Sequence, residues 1–174
     1  MFLDESGANL KMTTNYGWGE IGTRIKYASP HQRGTKFSIL GAIGFNEIKA
    51  AFYGDWSTDS EAFLHFIEKE LCPKLKPGDV VVMDNVSFHK NSKITDAIES
   101  VKANVLYLPP YSPEFNPIEN MWSKIKSNLK KSAARTVDEF HVAIKKAFES
   151  VSSFDLTGWF KHCGYSDQGF REQL

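Results

Sequence analysis

The chain has 174 residues, 41% hydrophobic and 13% aromatic, with 21 basic and 21 acidic side chains and a formal charge of zero. That suits one domain with a real core, offers no run near the roughly 18 apolar residues that cross a bilayer, and gives no global charge argument for nucleic acid. The start, MFLDESG, carries acids at positions 4 and 5 and no basic segment, against a signal peptide, and Cys72 and Cys163 form no CxxC pair, which fits a reducing, intracellular home.

MFLDESGANL, YGWGEIGTRIK, KFSILGAIGF and EIKAAFYG read as strands with short connections, so the first third is expected to form an antiparallel meander. Thr58 to Glu61 has capping-box spacing and opens a helix carrying Phe63, Leu64, Ile67 and Leu71, closed by Pro73. KPGD is a turn, and VVVMD a continuously apolar strand of the kind buried on both faces. Ile94, Ala97, Ile98 and Val101 mark a second helix, and NVLYL another buried strand. Ile118, Met121, Trp122, Ile125 and Leu129 mark a third helix. Thr136 and Glu139 form a capping box that opens a fourth, and the tail GYSDQGFREQL carries little pattern. The fold class is therefore α/β: a mixed sheet, meander first and βα units after, flanked by helices on both faces.

Three acids stand at pointed positions. Asp4 lies in the first strand. Asp84 ends VVVMD, where an α/β sheet presents residues to a ligand crevice. Glu119 lies in the first turn of the third helix. Carboxylates from three separate elements suit a hard divalent cation such as Mg²⁺. Each also has a plainer reading. Asp84-Asn85 suits a turn. Asp4 near the chain start suits an exposed position. Asn116-Pro117-Ile118-Glu119 matches N-cap, first and third helical positions, so Glu119 suits a capping role. Strand alternation sends Asp4 and Glu5 to opposite faces without saying which one joins Asp84.

Four prolines, Pro109, Pro110, Pro113 and Pro117, stiffen the approach to Glu119. Beyond it, Glu119, Ser123, Lys126 and Lys130 share one helix face. From Glu119 to Lys146 seven basic residues stand against three acidic ones, a local balance of +4. The run reads either as a solvated face or as a track for backbone phosphates.

LDES, VVMDNVSFHK and LPPYSPEFNPIENMWSKIK together resemble the DDE transposases of the mariner superfamily, in its bacterial insertion-sequence branch. The likeness spans the chain from the first strand to at least the fourth helix. PPYSPEFNPIE leading into NMW is its most specific part, DN.SFHK is moderately specific, and DES alone is weak. The resemblance implies a ribonuclease H-like fold and places the triad on Asp4, Asp84 and Glu119, rather than on Glu5, Asp79 or Glu114. Thirty-four residues separate Asp84 from Glu119, and 79 separate Asp4 from Asp84; the first spacing looks like that of the superfamily. The family carries an N-terminal helix-turn-helix region ahead of the core. Here Asp4 is the fourth residue, so one catalytic domain over 1–174 is expected, with that region absent or separately encoded.

The resemblance further implies two divalent ions, Mg²⁺ or Mn²⁺, held by the triad with Asp4 as bridge. It implies DNA cleavage and strand transfer, DNA as partner, a homodimer in the active complex, and a cytoplasmic, nucleoid-associated setting. Repulsion among the three carboxylates is expected to raise their proton affinities. Lys124, Lys126 and Lys130 are candidate phosphate contacts, and His89 a DNA contact or an ordering residue. Trp122, on the apolar stripe, reads as core. Two rivals stand beside this reading: a nuclease of the same fold without strand transfer, and a non-catalytic remnant that binds DNA or dimerises. No His or Cys spacing suggests zinc.

Overall fold

A computed structural model describes residues 1–26, 34–57, 59–86, 89, 91–166 and 169–170. Three strands, β1 (Phe2–Asn9), β2 (Lys36–Ile43) and β3 (Ile48–Gly54), form the antiparallel meander. β4 (Val80–Met83) and β5 (Asn104–Tyr107) then run parallel to β1 and to each other, giving the order β3-β2-β1-β4-β5. This is the mixed sheet expected. Helices α1 (Ser60–Phe66), α2 (Ser92–Ser100), α3 (Ile118–Ser132), α4 (Val137–Glu149) and α5 (Ser153–His162) cover its two faces.

Alternation along the strands divides the core into two layers. Phe2, Phe37, Ile39, Ile43 and Val82 pack beneath α3, α4 and α5. Leu3, Leu40, Ala42, Val81 and Met83 pack against α1 and α2. On α3 the whole stripe Ile118, Met121, Trp122, Ile125 and Leu129 is buried, as its helical spacing predicts.

Several elements differ from expectation. Residues 16–26 form no strand: Tyr16, Trp18 and Ile21 are exposed, and Gly22 turns the chain at φ +83°. Among the described residues, alternation there meets no neighbouring strand whose ladder bonds could hold it. β5 is an edge strand with Leu106 exposed, not a strand buried on both faces. Helix α1 is capped by Asp59, which accepts from the Glu61 and Ala62 amides; Thr58, the expected cap, lies outside the described residues. The chain continues past α1 as a π turn (Ile67–Leu71) and a 3₁₀ turn (Cys72–Lys74), since Pro73 has no N–H to extend the ladder. Helix α5 was not anticipated; a Ser152/Asp155 capping box opens it. In the tail, Tyr165–Ser166 pairs with Gly169–Phe170, and 171–174 lie outside the described residues.

Candidate active site

Register brings the first two acids together. β1 and β4 pair in parallel, with Phe2 opposite Val82 and Leu3 opposite Met83. One residue further along each chain come Asp4, still within β1, and Asp84, just past the carboxyl end of β4, where such sheets open to ligands. Asp4 shares the face of Phe2, beneath α3, and Glu5 points to the opposite face, as the hydrogen bonds below show.

Asp4 is buried, and its Oδ2 accepts from the Trp122 indole Nε1 at 3.1 Å. That contact depends on a glycine. Gly41 lies opposite Asp4 on β2, and a Cβ there would sit 2.7 Å from Trp122 Cη2 and 3.1 Å from Met121 Cε. The empty position lets α3 settle on the sheet. Burial, then repulsion from Glu5 and Glu119, pushes the Asp4 carboxyl up to about 7, while the Glu5 amide and the Trp122 hydrogen bond oppose the rise.

Asp84 turns the other way. Its Oδ1 lies 2.6 Å from His89 Nδ1, and His89 Nε2 lies 3.0 Å from Glu5 Oε2. His89 is buried, stacks on Phe63 at 4.4 Å between ring centroids, and its carbonyl accepts from Tyr107 Oη. Burial opposes the imidazolium, but the hydrogen bonds and charges of Asp84 and Glu5 outweigh it and raise His89 to about 9. The imidazole is thus held between two carboxylates. Burial also opposes ionisation of Asp84, yet the His89 hydrogen bond and charge hold that carboxyl below its usual range. Asp4 does hold its proton more tightly, but through burial and Glu5 first, with Glu119 adding a smaller repulsion, and Asp84 moves the opposite way. His89 orders the site from inside the fold and offers no surface for DNA contact.

Glu119 projects from the first turn of α3. The helix starts at Ile118 behind Pro117, with no side-chain cap bond, and the Asn116 Oδ1 that was to cap it has no partner among the described residues. Glu119 therefore makes no capping box there, whereas Glu139 and Asp155 make theirs. Instead it lines a cavity of about 330 Å³ together with Asp84, Asn85 and Asn116. Among the described residues, the buried Oδ1 atoms of Asn85 and Asn116 both find no hydrogen-bond partner. Among the described residues no three His, Cys, Asp or Glu side chains already converge tightly enough to hold an ion by themselves.

Of the lysines, Lys124 is drawn away: its Nζ bonds the Asp155 carboxylate at 2.6 Å, tying α3 to the start of α5. Lys126 and Lys130 are half-buried along the flank that leads from Glu119. Sequence reading offered His89 as an ordering residue without its partners Asp84 and Glu5, and it missed two roles: Trp122 as donor to Asp4, and Asn116 as an oxygen with no partner among the described residues. The three-residue step from Glu119 to Trp122, which puts both on one side of the helix, was the available signal for the first of these.

The chain is 22% identical over 156 residues to a 39 kDa protein of insertion element IS630 from Shigella sonnei, covering 88% of this chain and 45% of that protein. It superposes on the Mos1 transposase paired-end complex with the left transposon end with a TM-score of 0.76 at 13% identity, covering 93% of this chain and 51% of that one. A Mos1 mariner paired-end complex with Mn gives a TM-score of 0.73 at the same identity. These neighbours share the ribonuclease H-like fold, and this chain spans about half the length of the relatives it matches. The family model for DDE superfamily endonucleases matches residues 1–141, and the chain belongs to that family.

Proposed function

We infer that the chain is the catalytic domain of a transposase, cutting DNA phosphodiesters and joining the freed 3′ end to a target. The observation that carries this is the register of two neighbouring parallel strands, Leu3 opposite Met83, which delivers Asp4 and Asp84 one residue beyond that pair, with Glu119 on α3 near enough to repel the Asp4 charge. The Mos1 complexes with transposon DNA and with Mn support it by likeness.

The residues present fit a hard divalent cation. Asp84 and Glu119 line one cavity with their carboxylates, and two carboxamide oxygens beside them have no partner among the described residues; an all-oxygen set is what Mg²⁺ and Mn²⁺ take. Asp4, Asp84 and Glu119 would hold two such ions. When bound, they supply Lewis acidity at the phosphate and lower the pKa of an attacking water. The chain's own part is to fix the ligands. Trp122 holds one oxygen of Asp4, and His89 holds one oxygen of Asp84, so each carboxylate presents its other oxygen in a set direction. Lys126 and Lys130 bind backbone phosphates without reading bases. DNA is the substrate, two copies act on paired ends, and a DNA-binding segment ahead of the core supplies end recognition. The setting is the bacterial cytoplasm, at the nucleoid.

Asp84→Asn is expected to abolish Mn²⁺-dependent nicking and the transfer of a pre-cleaved end, with an unchanged circular dichroism spectrum. Nicking that survives this change would remove the triad assignment. Nicking by the wild type without any end transfer would leave a nuclease of the same fold.

A further inference from the structure

Tyr111 is the tip of the proline-rich loop between β5 and α3. Its side chain is fully exposed, and its backbone sits at φ +57°, in the left-handed region. A bulky L-residue holds that conformation only when its surroundings impose it. Here they do. The Leu108 amide bonds the Met83 carbonyl at 2.9 Å, which fastens one end of the loop to β4. A 3₁₀ turn, Pro113–Phe115, fastens the other end to α3. Pro109, Pro110 and Pro113 fix φ in between.

Tyr111 is among the residues that line the cavity of Asp84 and Glu119. Among the described residues lining it there is no lysine or arginine. The described wall of Pro109, Pro110 and Tyr111 carries no charge. A tyrosine ring is a surface on which a base face can stack. We propose that Tyr111 is a stacking platform for an unpaired nucleobase next to the phosphate that enters the carboxylate site. This rests on the transposase reading, which supplies the DNA. It gives the strained backbone a use: the loop aims an aromatic ring where the strand must turn to bring its phosphate to the acids.

The test uses two oligonucleotides in Ca²⁺ buffer. One is a fully paired duplex. The other is the same duplex with a short single-stranded overhang carrying 2-aminopurine, whose fluorescence drops on stacking. The wild type is expected to quench the 2-aminopurine and bind the overhang form more tightly. Tyr111→Phe and Tyr111→Trp retain both effects. Tyr111→Ala and Tyr111→Gly lose the quenching and weaken overhang binding by about 5- to 150-fold, with duplex binding unchanged. Tyr111→Gly also raises the melting temperature, because glycine accepts positive φ. Two results overturn the platform: an alanine variant that still quenches, or one that loses both DNAs equally. A wild type that binds neither DNA overturns the transposase reading itself, and the platform with it.

Discussion

Asp4 depends on groups far from it in the chain. Trp122 donates to it across 118 positions, and Gly41 makes the room. Removing the indole donor by Trp122→Phe is expected to weaken Mn²⁺ binding about tenfold, the usual scale for a group that orients a metal ligand. Gly41→Ala should act in the same direction by pushing the Trp122 ring aside. Mn²⁺ paramagnetic resonance would measure the affinity, and urea unfolding the stability. Full affinity in both variants would mean that the β1 backbone alone fixes Asp4. The same residues set a pH profile for the metal-free protein. Asp4 takes its proton more tightly folded, about 7 against 3.8, so its share of stability is lost as pH rises between those values. His89 is also raised, to about 9 from 6.5, so its share is complete below about 6.5 and lost as pH rises to about 9. The melting temperature should therefore fall in two windows. Asp4→Asn should flatten the lower one and His89→Gln the upper.

Helix starts show which local patterns can be trusted. The Thr136/Glu139 capping box read from spacing is present, with the Glu139 amide bonded to Thr136 Oγ1 at 3.2 Å. The similar pattern at Asn116 to Glu119 makes no cap bond. Thr136→Ala should cost about 1 kcal/mol in urea unfolding, while Glu119→Gln should stay within about 0.5 kcal/mol and yet weaken Mn²⁺ binding. A loss near 1 kcal/mol in Glu119→Gln would restore its capping role. Elements with a continuous apolar stripe, such as α3, were legible. Helix α5 was not: of its ten residues only Leu156 and Phe160 are buried, and Phe154 is exposed. Too few positions carry the period. The alternation in 16–26 misled for the opposite reason, since period two records a strand only where a neighbour supplies its ladder.

Across the whole molecule, charge is balanced overall but uneven along α3. Lys126 and Lys130 flank the path from Glu119, and Lys124 is bound to Asp155. Lys126→Ala should weaken DNA binding and reduce the slope of log affinity against log salt by about one. Lys124→Ala should leave that slope nearly unchanged. Equal slopes for both variants and the wild type would remove the phosphate track.

By itself the sequence determined that one strand carries an acid within it, that another ends in one, and that a proline-stiffened turn delivers a third acid at a helix start. These are local facts, carried by side-chain period and backbone restriction. The tertiary structure decided the rest. It put Asp4, not Glu5, beneath α3 with Glu119, made Glu5 and His89 the clamp on Asp84, turned Trp122 from filler into a donor, and left Asn116 without the cap bond expected of it. Each of those outcomes joins groups from different strands and helices. Register and helix seating fix them, and no window along the chain contains both partners.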